Sequence, residues 1–156
     1  MKFYPDQIAI CPTDPARAIA LLEKLGMTDW VRDHVTANGK VYGVAGSNEA
    51  DLAFSYTALP GHARELEVLK YTTGPNWMAA NPNQVSHFGM HVTATELDYW
   101  RAFFAAEGID VAQEVKTESH TNPFLIDNGR KFEYVIFNTR PILGVDLKFI
   151  VRIERT

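Results

Sequence analysis

Alternating apolar and polar positions predict most of the strands in this chain. In Phe3–Cys11, Ile8 and Ile10 fall on one side of the backbone and Gln7 falls on the other. A period of two residues is typical of a β-strand that buries one face. The same pattern predicts strands at Val31–Val35, Lys40–Val44, Asp51–Thr57, Glu65–Tyr71, Val85–Val92, Ile109–Thr117, Phe132–Asn138 and Val145–Ile153. An Asn-Gly pair at 38–39 predicts a turn between the second and third strands.

Helical signals follow the opening strand of each half of the chain. The first helix is expected to begin at Asp14, whose carboxylate can accept backbone N–H groups, and to end at Gly26. Pro15 suits the first helical position because a proline there removes no helical hydrogen bond. The second helix is expected over Thr95–Glu107, with a capping-box-like start at Thr95. Its apolar stripe is made of Leu97, Trp100 and Phe104.

The order of a strand, a helix and then further strands occurs twice, which indicates an internal repeat. Gln7 and His87 take the same place in the two opening strands, 80 residues apart. Glu67 and Lys148 take the same place in the two closing strands, 81 residues apart. A module of this size would bury a poor core alone. We therefore predict an α+β fold of two paired βαβββ modules, 1–72 and 85–156, joined by a linker at 73–84 within a single domain, 1–156.

The helix of each module should cover one face of a mostly antiparallel sheet, which leaves the other face to line a cavity. Alternation then divides the strand residues between the two faces. The residues expected under the helices are Ile8, Ile10, Leu66, Val68, Phe88, Met90, Leu147 and Phe149. The polar residues expected on the cavity face are Gln7, Glu67, His87 and Lys148.

Composition narrows the possible partners. The 156 residues carry 15 Lys and Arg against 19 Asp and Glu, so the net charge is −4. Scattered, mildly acidic charge argues against a nucleic-acid partner, since such proteins rely on a basic face. No stretch has the run of uncharged apolar residues that a membrane span needs, and a single cysteine, Cys11, excludes an internal disulfide. These features predict a cytoplasmic protein with neither a nucleic-acid nor a membrane partner.

Three segments of the chain resemble a known superfamily. Asp6–Ile10, Glu65–Leu69 and Ser86–Val92 are similar to the corresponding strands of the glyoxalase/bleomycin-resistance/extradiol-dioxygenase, or vicinal oxygen chelate, superfamily. The resemblance covers nearly the whole chain. It implies a curved sheet around a cavity with the helices on the outer face, a small-molecule ligand or substrate, and a homodimer.

The resemblance also implies a divalent metal, held by one residue from the first strand and one from the last strand of each module. The matching positions are Gln7, Glu67, His87 and Lys148. Amide oxygen, carboxylate and imidazole suit nickel, zinc, iron or manganese. Lys148 departs from the pattern, because a protonated lysine has no lone pair to offer a metal.

Two interpretations of Lys148 follow. In the first, the metal is lost and Glu67 and Lys148 form an internal ion pair in a metal-free binding cavity, as in bleomycin-resistance-like members that sequester a compound. In the second, Gln7, Glu67 and His87 still bind metal in a lyase, isomerase or dioxygenase acting on a small substrate with vicinal oxygens. Glu67 and Lys148 would then be catalytic, with Lys148 neutralising the charge that develops on the substrate. A purely structural module is a third possibility.

Further polar residues are candidates for contact with the ligand. His91 and Tyr71 share the cavity face of their strands, although a histidine near a strand end is more often a structural residue. His120 and Arg130 lie around a polar segment that could close over the cavity. A solvated turn is the alternative interpretation of that segment.

Overall fold

The computed structural model describes residues 1–55, 65–74, 83–119 and 131–153. These residues form eight strands and three helices. The strands are β1 (Gln7–Cys11), β2 (Val31–Val41), β3 (Val44–Ser55), β4 (Glu65–Thr73), β5 (Gln84–His91), β6 (Val111–Ser119), β7 (Lys131–Phe137) and β8 (Asp146–Ile153). The helices are α1 (Pro15–Lys24), α2 (Ala94–Ala106) and α3 (Arg140–Leu143). None of the helices in these described ranges is long and apolar enough to cross a membrane.

The eight strands close into a barrel in the order β1-β4-β3-β2-β6-β7-β8-β5. Within each half, the opening strand lies parallel to the closing strand, as β1 does to β4 and β5 does to β8. Two antiparallel pairings, β1 with β5 and β2 with β6, join the halves. The predicted α+β fold, with a mostly antiparallel curved sheet, is therefore confirmed.

Helix α2 covers the second half of the sheet through an aromatic core. Trp100 stacks on Phe149 with ring centroids 5.0 Å apart, and Phe104 stacks on Phe137 at 4.2 Å. Aromatic side chains bury a large apolar area, so such pairs dominate the packing of a small core. The whole cluster is Met90, Leu97, Trp100, Phe104, Val135, Phe137, Leu147 and Phe149.

Helix α1 covers the first half through a smaller contact. Asp14 caps the helix by accepting from the Arg17 backbone N–H at 3.0 Å, and Ile19 packs against Ala53 and Val68. The expectation that Ile8 lies under this helix is wrong, since its side chain is 39% exposed. Helix α1 has only 10 residues, and its small cluster extends to the neighbouring Ile10 and not to Ile8.

The hairpin of the first module is longer than predicted. Strand β2 continues through Asn38 and Gly39 to Val41, and the turn lies at Tyr42 and Gly43, where φ is 46° and 78°. Positive φ at both central residues is the signature of a tight hairpin turn. Gly39 is a strand residue because β2 and β6 approach closely there.

The start of α2 also differs from its prediction by two residues. The cap is Thr93, not Thr95, and it forms a full capping box with Glu96. The Glu96 backbone N–H donates to Thr93 Oγ1 at 3.2 Å, and the Thr93 backbone N–H donates to Glu96 Oε2 at 2.8 Å. These bonds satisfy two backbone donors that a helix start leaves open.

Replacing Gly39 by alanine should destabilise the barrel. A Cβ at this position would overlap the backbone oxygen of Glu114 and lie 2.7 Å from Val115 Cα. Because backbone atoms cannot move aside, Gly39→Ala should lower the free energy of unfolding by about 1–3 kcal/mol, as measured by urea denaturation. The exposed neighbour Lys40→Ala is the control and should change it by less than about 0.5 kcal/mol. Equal effects of the two substitutions would contradict the close approach.

Candidate functional site

Four adjacent strands bring together the polar residues that the sequence predicts on the cavity face. Gln7 of β1 pairs with Glu65 of β4 and with Gly89 of β5, and Gly89 pairs with Lys148 of β8. Since alternate side chains point to the same face, this register gathers four residues from both halves of one chain in the barrel interior. They are Gln7, Glu67, His87 and Lys148, with exposed fractions of 3%, 3%, 1% and 8%. We call these four residues the polar cluster.

Short distances connect the members of the polar cluster. His87 Nε2 lies 2.9 Å from Gln7 Oε1 and 3.2 Å from Glu67 Oε2. Lys148 Nζ lies 3.7 Å from the same Glu67 oxygen. Among the described residues no donor is aligned for a hydrogen bond to Glu67 Oε2, although this atom is buried. Leaving a buried carboxylate oxygen without a hydrogen bond costs free energy. A hydrogen-bond donor on a ligand would therefore be stabilised beside this atom.

Gly89 makes room for the cluster. A Cβ at this position would lie 2.8 Å from Gln7 Oε1 and 3.0 Å from Gln7 Cβ. Any larger residue would therefore push Gln7 away from His87. A glycine within a strand often marks such a close approach.

Two further residues orient the cluster, and neither is among the residues predicted from the sequence. Gln7 Nε2 donates to Glu65 Oε1 at 2.5 Å, which turns the amide oxygen of Gln7 toward His87. Ser86 Oγ lies 2.8 Å from His87 Nδ1 and fixes the other side of the imidazole ring. The alternation of β4, which places Glu65 on the same face as Glu67, could have identified the first of them.

Burial and charge set the protonation states of the cluster. Burial alone would raise the pKa of Glu67, but the charge of Lys148 and the contact with His87 lower it to about 2. Burial and the charge of Lys148 lower the pKa of His87 to about 4. Burial, together with the charge of Glu67, raises the pKa of Glu65. Near neutral pH the cluster therefore contains a carboxylate on Glu67 and a neutral imidazole.

A second polar group lies beside the cluster in the barrel. The Tyr71 hydroxyl donates to Gln113 Oε1 at 3.4 Å, and Gln113 Nε2 donates to the Tyr134 hydroxyl at 3.2 Å. Lys148 Nζ lies 4.6 Å from the centroid of the Tyr134 ring. Tyr71 was a predicted ligand contact, whereas Gln113 and Tyr134 were not identified from the sequence.

The other predicted contacts lie elsewhere or cannot be placed. His91 is held by Asp6, with Nδ1 and Oδ1 3.0 Å apart, so it lies in a separate pair. His120 and Arg130 fall outside the described residues. The register of β8 also decides which residue faces Glu67. Asp146 pairs with His87 in the sheet, but its carboxylate accepts from Arg140, so Lys148 is the residue of β8 beside Glu67.

Known proteins resemble this chain in structure and not in sequence. No family model and no curated protein matches it. A variant of methylmalonyl-CoA epimerase from Streptomyces coelicolor, in complex with 2-nitronate-propionyl-CoA, has a TM-score of 0.55 and 16% identity and covers 100% of each chain. A hypothetical protein from Bacillus halodurans C-125 has a TM-score of 0.56 and 13% identity, over 98% of this chain and 96% of that one. A methylmalonyl-CoA epimerase in complex with methylmalonyl-CoA and NH4+ has a TM-score of 0.51 and 16% identity, over 94% and 92%.

These epimerases belong to the vicinal oxygen chelate superfamily, and the match extends over the whole barrel. The chain has the vicinal oxygen chelate fold. The likeness at this level of identity concerns the fold alone, so the homodimer and the functional roles of the predicted site residues stay predictions.

The residues present do not fit the four-ligand metal centre that the vicinal oxygen chelate fold implies. Three atoms that can donate a lone pair to a metal lie close together: Gln7 Oε1, Glu67 Oε2 and His87 Nε2. The fourth position holds the ammonium of Lys148, which has no lone pair and repels a cation. Within the described residues, no group of three or more His, Cys, Asp or Glu side chains could hold a metal ion.

The buried His87 should make the protein less stable in acid. In the folded protein the pKa of His87 is about 4, against an ordinary value of 6.5. Between these values the unfolded chain binds a proton that the folded chain does not, so the free energy of unfolding falls as the pH falls from 6.5 to 4. His87→Gln should remove up to about 1.4 kcal/mol per pH unit from this slope, measured by urea denaturation across that range. An unchanged slope in the variant would show that His87 does not titrate as described.

Proposed function

We propose that this protein binds a small molecule with a hydroxyl group next to a carbonyl or carboxylate, in the polar cluster and without a divalent metal. The observation that carries the proposal is the placement of the Lys148 ammonium 3.7 Å from the buried oxygen Glu67 Oε2. The positive charge of the site then belongs to the chain itself, and the two groups offer a ligand one acceptor and one donor.

The acceptor side of the site is Glu67. Within the part of the chain that the structure describes, no donor is aligned with its buried Oε2 atom, and its low pKa keeps it ionised. Buried acceptors in native proteins nearly always have a partner. A hydroxyl group of a ligand would supply the missing hydrogen bond, and a charged acceptor makes that bond stronger than a neutral one would.

The donor side is Lys148. An ammonium group carries three donors, and the Nζ–Oε2 separation of 3.7 Å is longer than a hydrogen bond. The ammonium can therefore turn an N–H toward a carbonyl or carboxylate oxygen of a ligand while it stays beside Glu67. Two neighbouring oxygens, one a donor and one an acceptor, match this pair of groups.

The structural neighbours support an oxygen-bearing organic ligand in a barrel of this fold. Two of them are complexes with methylmalonyl-CoA and with 2-nitronate-propionyl-CoA, which are oxygen-bearing acyl compounds. One of these complexes also contains NH4+. In this chain the ammonium group of Lys148 is itself a member of the polar cluster, 3.7 Å from Glu67 Oε2.

A metal-dependent lyase, isomerase or dioxygenase is the second candidate function. The observation in its favour is that His87 Nε2 lies 2.9 Å from Gln7 Oε1 and 3.2 Å from Glu67 Oε2, so three possible ligand atoms converge. That function requires Lys148 to turn away from Glu67, because a divalent ion would compete with the ammonium for the same carboxylate.

Binding of matched small probes in the presence of EDTA tests the proposal. Glycolate and hydroxyacetone carry the hydroxyl group, whereas acetate and acetone lack it. We expect the hydroxylated probe of each pair to bind about ten-fold more tightly, because it alone satisfies the buried Glu67 oxygen. Binding would be measured by NMR, from the shifts of the backbone amides of Gln7, Glu67 and His87.

Lys148→Met should weaken the binding of both hydroxylated probes, whereas the exposed Lys40→Met should leave it unchanged. If these probes bind only after Ni²⁺, Zn²⁺ or Mn²⁺ is added, the metal-dependent function is favoured instead. Equal binding of hydroxylated and plain probes, or no binding under either condition, would overturn the assignment of the ligand class.

A further inference from the structure

We propose that Tyr134 is a positioning residue that holds the Lys148 ammonium against Glu67 and thereby excludes a divalent cation from the site. The inference rests on the proposed function, in which the ammonium takes the place of a metal. It assigns a role to a residue outside the polar cluster.

The Tyr134 ring lies under the ammonium group. Lys148 Nζ is 4.6 Å from the ring centroid, within the range of a cation–π interaction. Both residues are 8% exposed, so water does little to weaken the attraction. The ammonium therefore has two neighbours of favourable charge, the face of Tyr134 and the carboxylate of Glu67.

The Tyr134 ring is itself fixed at its hydroxyl end. Gln113 Nε2 donates to that hydroxyl at 3.2 Å, and Gln113 Oε1 accepts from the Tyr71 hydroxyl at 3.4 Å. Gln113 is completely buried, and burial raises the pKa values of both tyrosines, so their hydroxyls stay protonated. These bonds, which link strands of both halves of the barrel, restrain the ring.

Sheet register explains why this ring meets this lysine. Tyr134 of β7 pairs with Ile150 of β8, and Lys148 pairs with Ile136 of β7. Tyr134 and Lys148 are therefore diagonal neighbours on the inner face, at a separation that long and aromatic side chains can bridge. The flexible lysine stem has several other rotamers, and the ring favours the one that approaches Glu67.

The consequence for the site is a choice between two cations. While Lys148 stays beside Glu67, a divalent ion would meet a fixed positive charge. If Lys148 moves away, Gln7 Oε1, Glu67 Oε2 and His87 Nε2 remain as a set of oxygen and nitrogen donors of the kind that bind Ni²⁺ or Zn²⁺. Tyr134 would then determine whether the Lys148 ammonium or a divalent ion lies beside the Glu67 carboxylate.

Titration with Ni²⁺ alone tests this role. The proteins compared are the wild type, Tyr134→Phe, which keeps the ring, Tyr134→Leu, which removes it, and Lys148→Met, which removes the competing charge. We expect Tyr134→Leu and Lys148→Met to bind Ni²⁺ about ten-fold or more tightly than the wild type. Tyr134→Phe loses the restraint from Gln113 but keeps the ring face, so its Ni²⁺ affinity should stay closer to that of the wild type than to that of Tyr134→Leu.

An NMR measurement tests the position of the lysine without any ligand or metal. A methylene group next to the face of a ring experiences an upfield shift, so the ε-methylene protons of Lys148 should be displaced upfield in lysine-labelled protein. The displacement should persist in Tyr134→Phe and vanish in Tyr134→Leu. If Tyr134→Leu fails to fold, the wild-type spectrum still decides, because an undisplaced Lys148 signal would overturn the inference.

The two proposals can fail separately. Tight Ni²⁺ binding by the wild type would overturn the metal-free function. If the same protein showed an upfield Lys148 signal, the contact between Tyr134 and Lys148 would stand, and only the claim that this contact excludes a metal would be wrong. If Lys148→Met gains Ni²⁺ affinity and a folded Tyr134→Leu does not, the role of Tyr134 is wrong and the metal-free function stands.

Discussion

The interior of this barrel depends on one ion pair. Glu67 and Lys148 are both nearly out of contact with water, and removing two charges from water is costly unless each is compensated. Their attraction and the neighbouring polar groups supply that compensation. An uncharged residue at either position would leave the other charge without its partner in the barrel. A change of charge at one position therefore requires a matching change at the other.

The pair exists only because the two halves of the chain close on each other. Glu67 belongs to the last strand of the first half and Lys148 to the last strand of the second. Between them lie the opening strands β1 and β5, whose antiparallel pairing places Gly89 against Gln7. The lack of a side chain at Gly89 allows Gln7 and His87 to meet. The close packing at Gly89 and the ion pair of Glu67 and Lys148 therefore both depend on how the two halves pair.

The sequence was sufficient to predict the residues of the polar cluster. Alternation along each strand and the offset of the repeat placed Gln7, Glu67, His87 and Lys148 on one face, because both signals can be counted along the chain. Contacts that depend on the register between neighbouring strands could not be predicted from alternation or from the repeat. Tyr134 stands among apolar and charged residues of β7, and only the register of β7 with β8 places it under Lys148.

Glycine caused the main error in the predicted elements. In a single sequence, Asn38 followed by Gly39 is a strong turn signal, and nothing local distinguishes a glycine needed for positive φ from one needed for space. Gly39 is of the second kind, since the backbone of β6 lies against it. The turn formed instead at Tyr42 and Gly43, where φ is positive. Only the position of β6 shows that Gly39 is needed for space and not for positive φ.

The division of the polar cluster between two halves has a consequence for assembly. Gln7 and Glu67 come from the strands of the first half, and His87 and Lys148 come from those of the second. If two copies of the chain exchanged one half with each other, each barrel would again contain all four residues. Domain swapping would thus preserve the chemistry of the interior, and two copies would carry two complete sites whichever way their halves were connected.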